Sequence, residues 1–137
     1  VADRDERVVY LDSSALVKLV VRERETQALL AFLSGWPYRA SSVLARVEVL
    51  RAVRRGGLDA PAQRRAQRLL ERLALLALDH TIIAAAALLR PSELRALDAL
   101  HLASARSLGA DLGGVVTYDR RQLQAARRLR LRVFSPG

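Results

Sequence analysis

The apolar positions of the chain fall into short runs separated by charged or turn residues, and their spacing predicts strands alternating with helices. Val8–Leu11 reads as a buried strand that stops at Asp12. Ser13–Val20 follows as a helix, with Asp12 or Ser13 available as N-cap, and a second helix is expected from about Arg24 to Leu33 before the breaker Gly35-Trp36-Pro37. Tyr38–Ala40 predicts a short strand. Ser41 and Ser42 would cap a helix over Val43–Arg55, whose apolar spacing is carried by Val43, Val47 and Leu50, and Gly56-Gly57 stops it. Asp59-Ala60-Pro61 opens another helix, along which Arg64, Arg65, Arg68 and Arg72 form a basic stripe. Leu75–Leu78 is expected to be a strand, with Asp79-His80-Thr81 capping a helix over Ile82–Leu89. Ser92 would begin a capped entry to a helix in the apolar run Leu94–Leu108, which Gly109 ends. Gly113–Tyr118 is the clearest strand and ends at Asp119; a basic helix over about Arg120–Leu129 and a strand at Leu131–Phe134 finish the domain. Alternation of this kind implies parallel strands joined by right-handed crossovers, hence an α/β sandwich with a small parallel sheet.

Composition narrows the class. With 137 residues, 51% of them hydrophobic, the chain suits one domain spanning 1–137. Val1–Arg7 is polar and charged, which predicts a flexible lead-in and the opposite of a secretory signal. No apolar run approaches the length of a membrane span, and zero cysteines exclude a disulfide framework and a thiolate metal site. A cytoplasmic protein is expected. Net charge is +9, and Lys18 is the sole lysine among 23 basic residues. A surplus made of arginine suits phosphate oxygens, so nucleic acid or an acidic protein is the natural partner.

Most of the 14 acids stand among charged or turn residues, but Asp12, Glu48, Asp79, Asp98 and Asp119 have apolar neighbours. Asp12, Asp79 and Asp119 lie at the carboxyl ends of predicted strands, where α/β sheets build their sites, and each could equally be a plain N-cap. Glu48 could pair with Arg51 one turn along. Asp98 shares a helix face with Leu94, His101, Leu102 and Ala105, so it must be protonated, paired or bound to a cation. Carboxylates without cysteine and with only two histidines select a hard cation such as Mg²⁺ or Mn²⁺, and in a basic protein that points to phosphodiester chemistry. The competing reading is a basic module that binds RNA or protein without cutting. Acids that converge without basic partners favour the enzyme; acids each engaged by a cap or an arginine favour the binder.

Other candidates receive plainer readings. His101 is expected to be a core histidine with a satisfied hydrogen bond, and His80 a surface residue. Trp36 is expected to anchor the core or an interface, and the stripe Arg64–Arg72 to be a solvated face. Arg120, Arg121, Arg127 and Arg128 follow Asp119 and are better placed to hold substrate phosphate.

Four segments together resemble the PIN domain, and more narrowly the VapC toxin ribonucleases of toxin–antitoxin pairs: Tyr10–Leu19, Ser42–Arg51 with Glu48, Leu94–Ala105, and Thr117-Tyr118-Asp119. The resemblance implies a three-layer α/β/α sandwich with a small, mainly parallel sheet. It implies that Asp12, Glu48, Asp98 and Asp119 form an acidic metal quartet, with Ser13, Ser14 and Thr117 as auxiliary hydroxyls and Asp79 outside the site. It further implies Mg²⁺- or Mn²⁺-dependent endonucleolytic cleavage of RNA. The implied partners are a VapB-like antitoxin, a second copy in a homodimer within a toxin–antitoxin hetero-oligomer, and promoter DNA reached only through the antitoxin.

Overall fold

A computed structural model describes residues 6–137; most of the expected lead-in, residues 1–5, lies outside that range. The strands are β1 (Val8–Leu11), β2 (Tyr38–Ser42), β3 (Ala74–Leu76), β4 (Leu112–Val116) and β5 (Val133–Phe134). They form a single sheet in the order β3-β2-β1-β4-β5. Every pairing is parallel, as the alternation of elements predicts. The helices are α1 (Ser13–Val20), α2 (Thr26–Leu33), α3 (Leu44–Arg55), α4 (Ala60–Glu71), α5 (His80–Ala87), α6 (Ala96–Arg106) and α7 (Arg120–Arg128). They flank the sheet in a three-layer arrangement. Because β1 is central and the order reverses beside it, the carboxyl ends of β1 and β4 mark the switch point at which such sheets place ligands.

On one face, Val9 and Leu11 of β1 pack with Leu16, Leu29, Leu33, Val49 and Val53. On the other, Tyr10 packs with Ala40, Ala105 and Val115. This is the alternation of a strand buried on both sides, which reads in sequence as an unbroken apolar run.

Several boundaries differ from expectation. β2 extends through Ser41 and Ser42, which are fully buried, and Ser42 still serves the start of α3, its hydroxyl accepting from the Leu44 N–H at 3.1 Å. The Ser41 hydroxyl donates to the Leu11 carbonyl at 2.6 Å, so a polar side chain is accommodated inside the sheet without an orphaned donor. In α3 the buried face is Ala45, Val49 and Val53, whereas Val47 is 57% exposed. The face begins two residues later than the valine spacing suggests, because small Ala45, not Val43, starts the packed row. Ser92 does not cap α6; the helix begins at Ala96 after an extended Arg95, with no side-chain cap. Asp98 is therefore in the first turn rather than mid-helix, where the N-terminal dipole favours an acid.

β4 contains Gly113 and Gly114 for steric reasons. A Cβ at Gly113 would fall inside the Trp36 ring, and one at Gly114 inside the Phe134 ring. Gly113→Ala is expected to lower unfolding free energy by about 1–3 kcal/mol through overpacking, measurable as a lower urea midpoint with an unchanged slope.

Candidate active site

Asp12 ends β1 and caps α1: its Oδ1 accepts from the Ala15 N–H at 3.0 Å and from the Ser14 hydroxyl at 2.6 Å. Its Oδ2 accepts from the Thr117 hydroxyl at 2.5 Å. The carboxylate is only 3% exposed, and burial pushes its pKa up against the opposing pull of the Ser14 and Thr117 hydrogen bonds. Thr117 and Ser14 are themselves fixed. The Thr117 hydroxyl accepts from the Asp119 N–H at 3.1 Å, and the Ser14 hydroxyl accepts from the Tyr118 N–H at 2.9 Å. The strand end of β4 is thus stitched to that of β1 through Asp12. Thr117→Val keeps the shape but leaves Asp12 Oδ2 and the Asp119 N–H short of a partner. It is expected to cost about 1–3 kcal/mol in chemical unfolding.

Asp119 caps α7, its Oδ1 accepting from Arg121 N–H at 2.8 Å and Gln122 N–H at 3.3 Å. Cap and site readings are therefore not alternatives for Asp12 and Asp119, because a cap occupies only part of a carboxylate. Asp98 reaches the same end of the sheet from α6. Its pKa is raised first by burial and then by the charges of Asp119 and Asp12, which places the three aspartates within electrostatic reach of one another. Among the described residues the Asp98 side chain makes no hydrogen bond or ion pair, and no lysine or arginine pairs with any of the three; Lys18 pairs with Glu23 and Glu25, and the His101 imidazole is hydrogen-bonded to Glu48.

Glu48 stands somewhat apart. Its Oε1 accepts from the Ser13 hydroxyl at 2.6 Å and lies 2.6 Å from His101 Nε2. Burial pushes its pKa up, but the His101 and Ser13 hydrogen bonds outweigh this and hold it below the usual carboxylate range. Arg51, the alternative partner for Glu48, is exposed and makes no ion pair among the described residues. His101 is a buried core histidine, 2% exposed, with its Nδ1 2.7 Å from the Tyr10 hydroxyl. Its link to Glu48 went unread in the sequence, as did Tyr10. The available signal was its place three residues after Asp98 on one helix face, and Tyr10's place two residues before Asp12.

Of the sequence candidates, Asp98 feels the charges of Asp119 and Asp12, Glu48 accepts from Ser13, and Ser14 and Thr117 hold Asp12. Asp79 caps α5 through the Ile82 N–H at 2.9 Å and is exposed, outside this group, as expected. His80 and Arg64, Arg65 and Arg68 are exposed, matching surface roles. Among the described residues no three histidine, aspartate or glutamate side chains stand close enough to share one ion as placed, since each of Asp12, Glu48 and Asp119 turns to its nearest donors. The donor chemistry nonetheless fits a hard divalent cation: oxygen ligands, an Asp98 whose pKa is raised by burial and by the charges of Asp119 and Asp12, and no lysine or arginine within ion-pair distance of the aspartates. The largest cleft, about 920 Å³ between the α5–α6 connection and α7, is lined by none of these acids. No helix among the described residues is long and apolar enough to cross a membrane.

Comparison with known proteins places this geometry. The model of the PIN domain family matches residues 9–128. Ribonuclease VapC46 of Mycobacterium tuberculosis (strain ATCC 25618 / H37Rv) is 48% identical over 129 residues, covering 94% of this chain and 98% of the relative. Ribonuclease VapC47 of M. tuberculosis (strain CDC 1551 / Oshkosh) is 39% identical over 134 residues, covering 95% and 98%. In fold, the chain is similar to a toxin–antitoxin complex from Klebsiella pneumoniae, with a TM-score of 0.71 at 21% identity over 94% of this chain and 98% of that one. It is equally similar to FitAcB from Neisseria gonorrhoeae, with a TM-score of 0.71 at 20% identity over 93% and 97%.

Proposed function

The chain belongs to the PIN domain family as a VapC-like ribonuclease, and from that membership we propose that it is a toxin endoribonuclease whose cleavage depends on Mg²⁺ or Mn²⁺ held by Asp12, Asp98 and Asp119 with Glu48. The observation that carries the reading is that Asp12 and Asp119 cap the helices after β1 and β4 while Asp98 feels the charges of both, with no lysine or arginine within ion-pair distance of the three, in a chain of net charge +9. Such a chain has arginines to spare, yet among the described residues none lies within ion-pair distance of these acids, and the pull of Arg95 on Asp98 is outweighed by burial and by the charges of Asp119 and Asp12. Their mutual repulsion favours a cation from solution, which removes the cost of keeping them together. When bound, such an ion supplies Lewis-acid charge to a phosphate oxygen and makes water a nucleophile near neutral pH.

The chain's own residues supply the positioning. Asp12 is held on both oxygens by Ser14, Ala15 and Thr117, so it cannot swing away from the site. Asp119 is fixed by the first turn of α7 through Oδ1. Arg120 and Arg121, exposed at that same turn, offer guanidinium groups to the RNA backbone beside the acids. An antitoxin that covers this edge would regulate the activity; the Klebsiella pneumoniae structure that shares this fold, a toxin–antitoxin complex, supports that partner.

Purified protein is expected to cut RNA in Mn²⁺ or Mg²⁺, to stop on addition of EDTA, and to resume when excess metal is restored. Turnover that persists in EDTA contradicts the reading, and RNA binding without cleavage in either metal favours the non-catalytic module.

A further inference from the structure

Glu48 is half-buried on α3, and what holds it comes from two other elements. His101 on α6 sets Nε2 2.6 Å from Glu48 Oε1, and Ser13 at the start of α1 donates to the same oxygen. Among the described residues Glu48 Oε2 accepts no hydrogen bond. On its other side, His101 Nδ1 lies 2.7 Å from the hydroxyl of Tyr10, a side chain with 0% exposure in the middle strand of the sheet. The Tyr10 and His101 rings meet edge-on, their centroids 5.9 Å apart at 73°. With the phenol donating to Nδ1, the neutral imidazole carries its proton on Nε2 and donates to Glu48. Nε2 also lies 3.3 Å from the Ser13 hydroxyl, so both ring nitrogens have partners and a turn of the ring would part them.

We propose that His101, oriented by Tyr10, is a positioning residue that commits Glu48 Oε1 and thereby turns Oε2 toward the divalent cation assigned to the three aspartates. His101 does not touch the ion or the RNA. It belongs to the core of α6 one turn from Asp98, so a single helix delivers both an acid of the site and the donor that aims another. The carboxylate of Glu48, flexible on α3 and 25% exposed, would otherwise be free to extend into solvent. This inference rests on the metal-site reading above.

The test is Mn²⁺ affinity, read by calorimetry on the full chain without RNA. His101→Leu fills the volume and removes the donor; Mn²⁺ binding is expected to weaken about 10–100-fold, the range for removing a partner that orients a ligand. His101→Gln restores an N–H near the Nε2 position and is expected to recover most of the loss. Tyr10→Phe, which removes one oxygen, is expected to give a smaller loss of the same kind and serves if the leucine variant does not fold. Folded His101→Leu or Tyr10→Phe proteins that bind Mn²⁺ like the wild type overturn the proposal alone, as does a glutamine variant no better than leucine. A wild-type chain that binds no Mn²⁺ overturns the metal-site reading and this proposal together.

Discussion

Asp98→Asn is expected to reduce RNA cleavage by about a hundredfold or more, because it removes a negative charge aimed where positive charge must be held. The same substitution is expected to leave the fold intact. The Asp98 side chain makes no hydrogen bond among the described residues, and its charge is opposed by Asp119 and Asp12. Relief of that repulsion acts against the loss of an acid in the first turn of α6, an interaction worth about 0.3–1 kcal/mol. Unfolding in EDTA should therefore stay within about 1 kcal/mol of wild type. Cleavage assayed beside thermal unfolding separates the outcomes: retained cleavage removes Asp98 from the chemistry, and a much larger loss of stability makes it a structural acid.

The largest effect on stability is expected at Trp36. The ring is 5% exposed and lies between the end of α2 and the edge of the sheet, stacked on Phe32 at 5.9 Å and 17° and tilted against Phe134 at 6.0 Å. Phe32 and Phe134 also meet edge-on at 4.8 Å, so the three rings form one cluster over Gly113 and Gly114. Trp36→Ala should cost about 3–5 kcal/mol in urea unfolding, the range for emptying a large aromatic site in a core. A role in stacking on RNA bases predicts the reverse pattern, with RNA affinity lost and stability unchanged. Burial against two phenylalanines leaves no face of the ring for a base.

The backbone plan was readable because this sheet is parallel and buried on both sides. The central strand β1 is an uninterrupted apolar run, and acids follow the two central strands, Asp12 directly after β1 and Asp119 three residues after the end of β4. That local pattern also located the switch point, since strand ends and helix caps coincide there. Helix faces were less legible. In α3, valine at position 47 completes a helical spacing on paper, yet the packed row runs through Ala45, and nothing local distinguishes the two. Side-chain partners were least legible of all. His101 and Glu48 are 53 residues apart, and His101 and Tyr10 are 91 apart, so only the crossing of α3, α6 and β1 brings them together. The histidine's burial could be expected from its apolar helix face; its hold on an acid of the site could not.

The same long-range geometry bears on the acids. Sequence spacing alone treats Asp12, Glu48, Asp98 and Asp119 as equals. The structure separates an Asp98 that feels the charges of Asp12 and Asp119 from a glutamate engaged by a histidine and a serine. The account requires that a divalent ion draw on both groups. Anomalous diffraction from crystals soaked in Mn²⁺ tests this most directly: the result expected is a manganese peak ligated by Asp12, Asp98 and Asp119 with Glu48 alongside, at oxygen distances of about 2.0–2.2 Å. Full soaking with no peak at these carboxylates, or a peak only elsewhere on the surface, would contradict it.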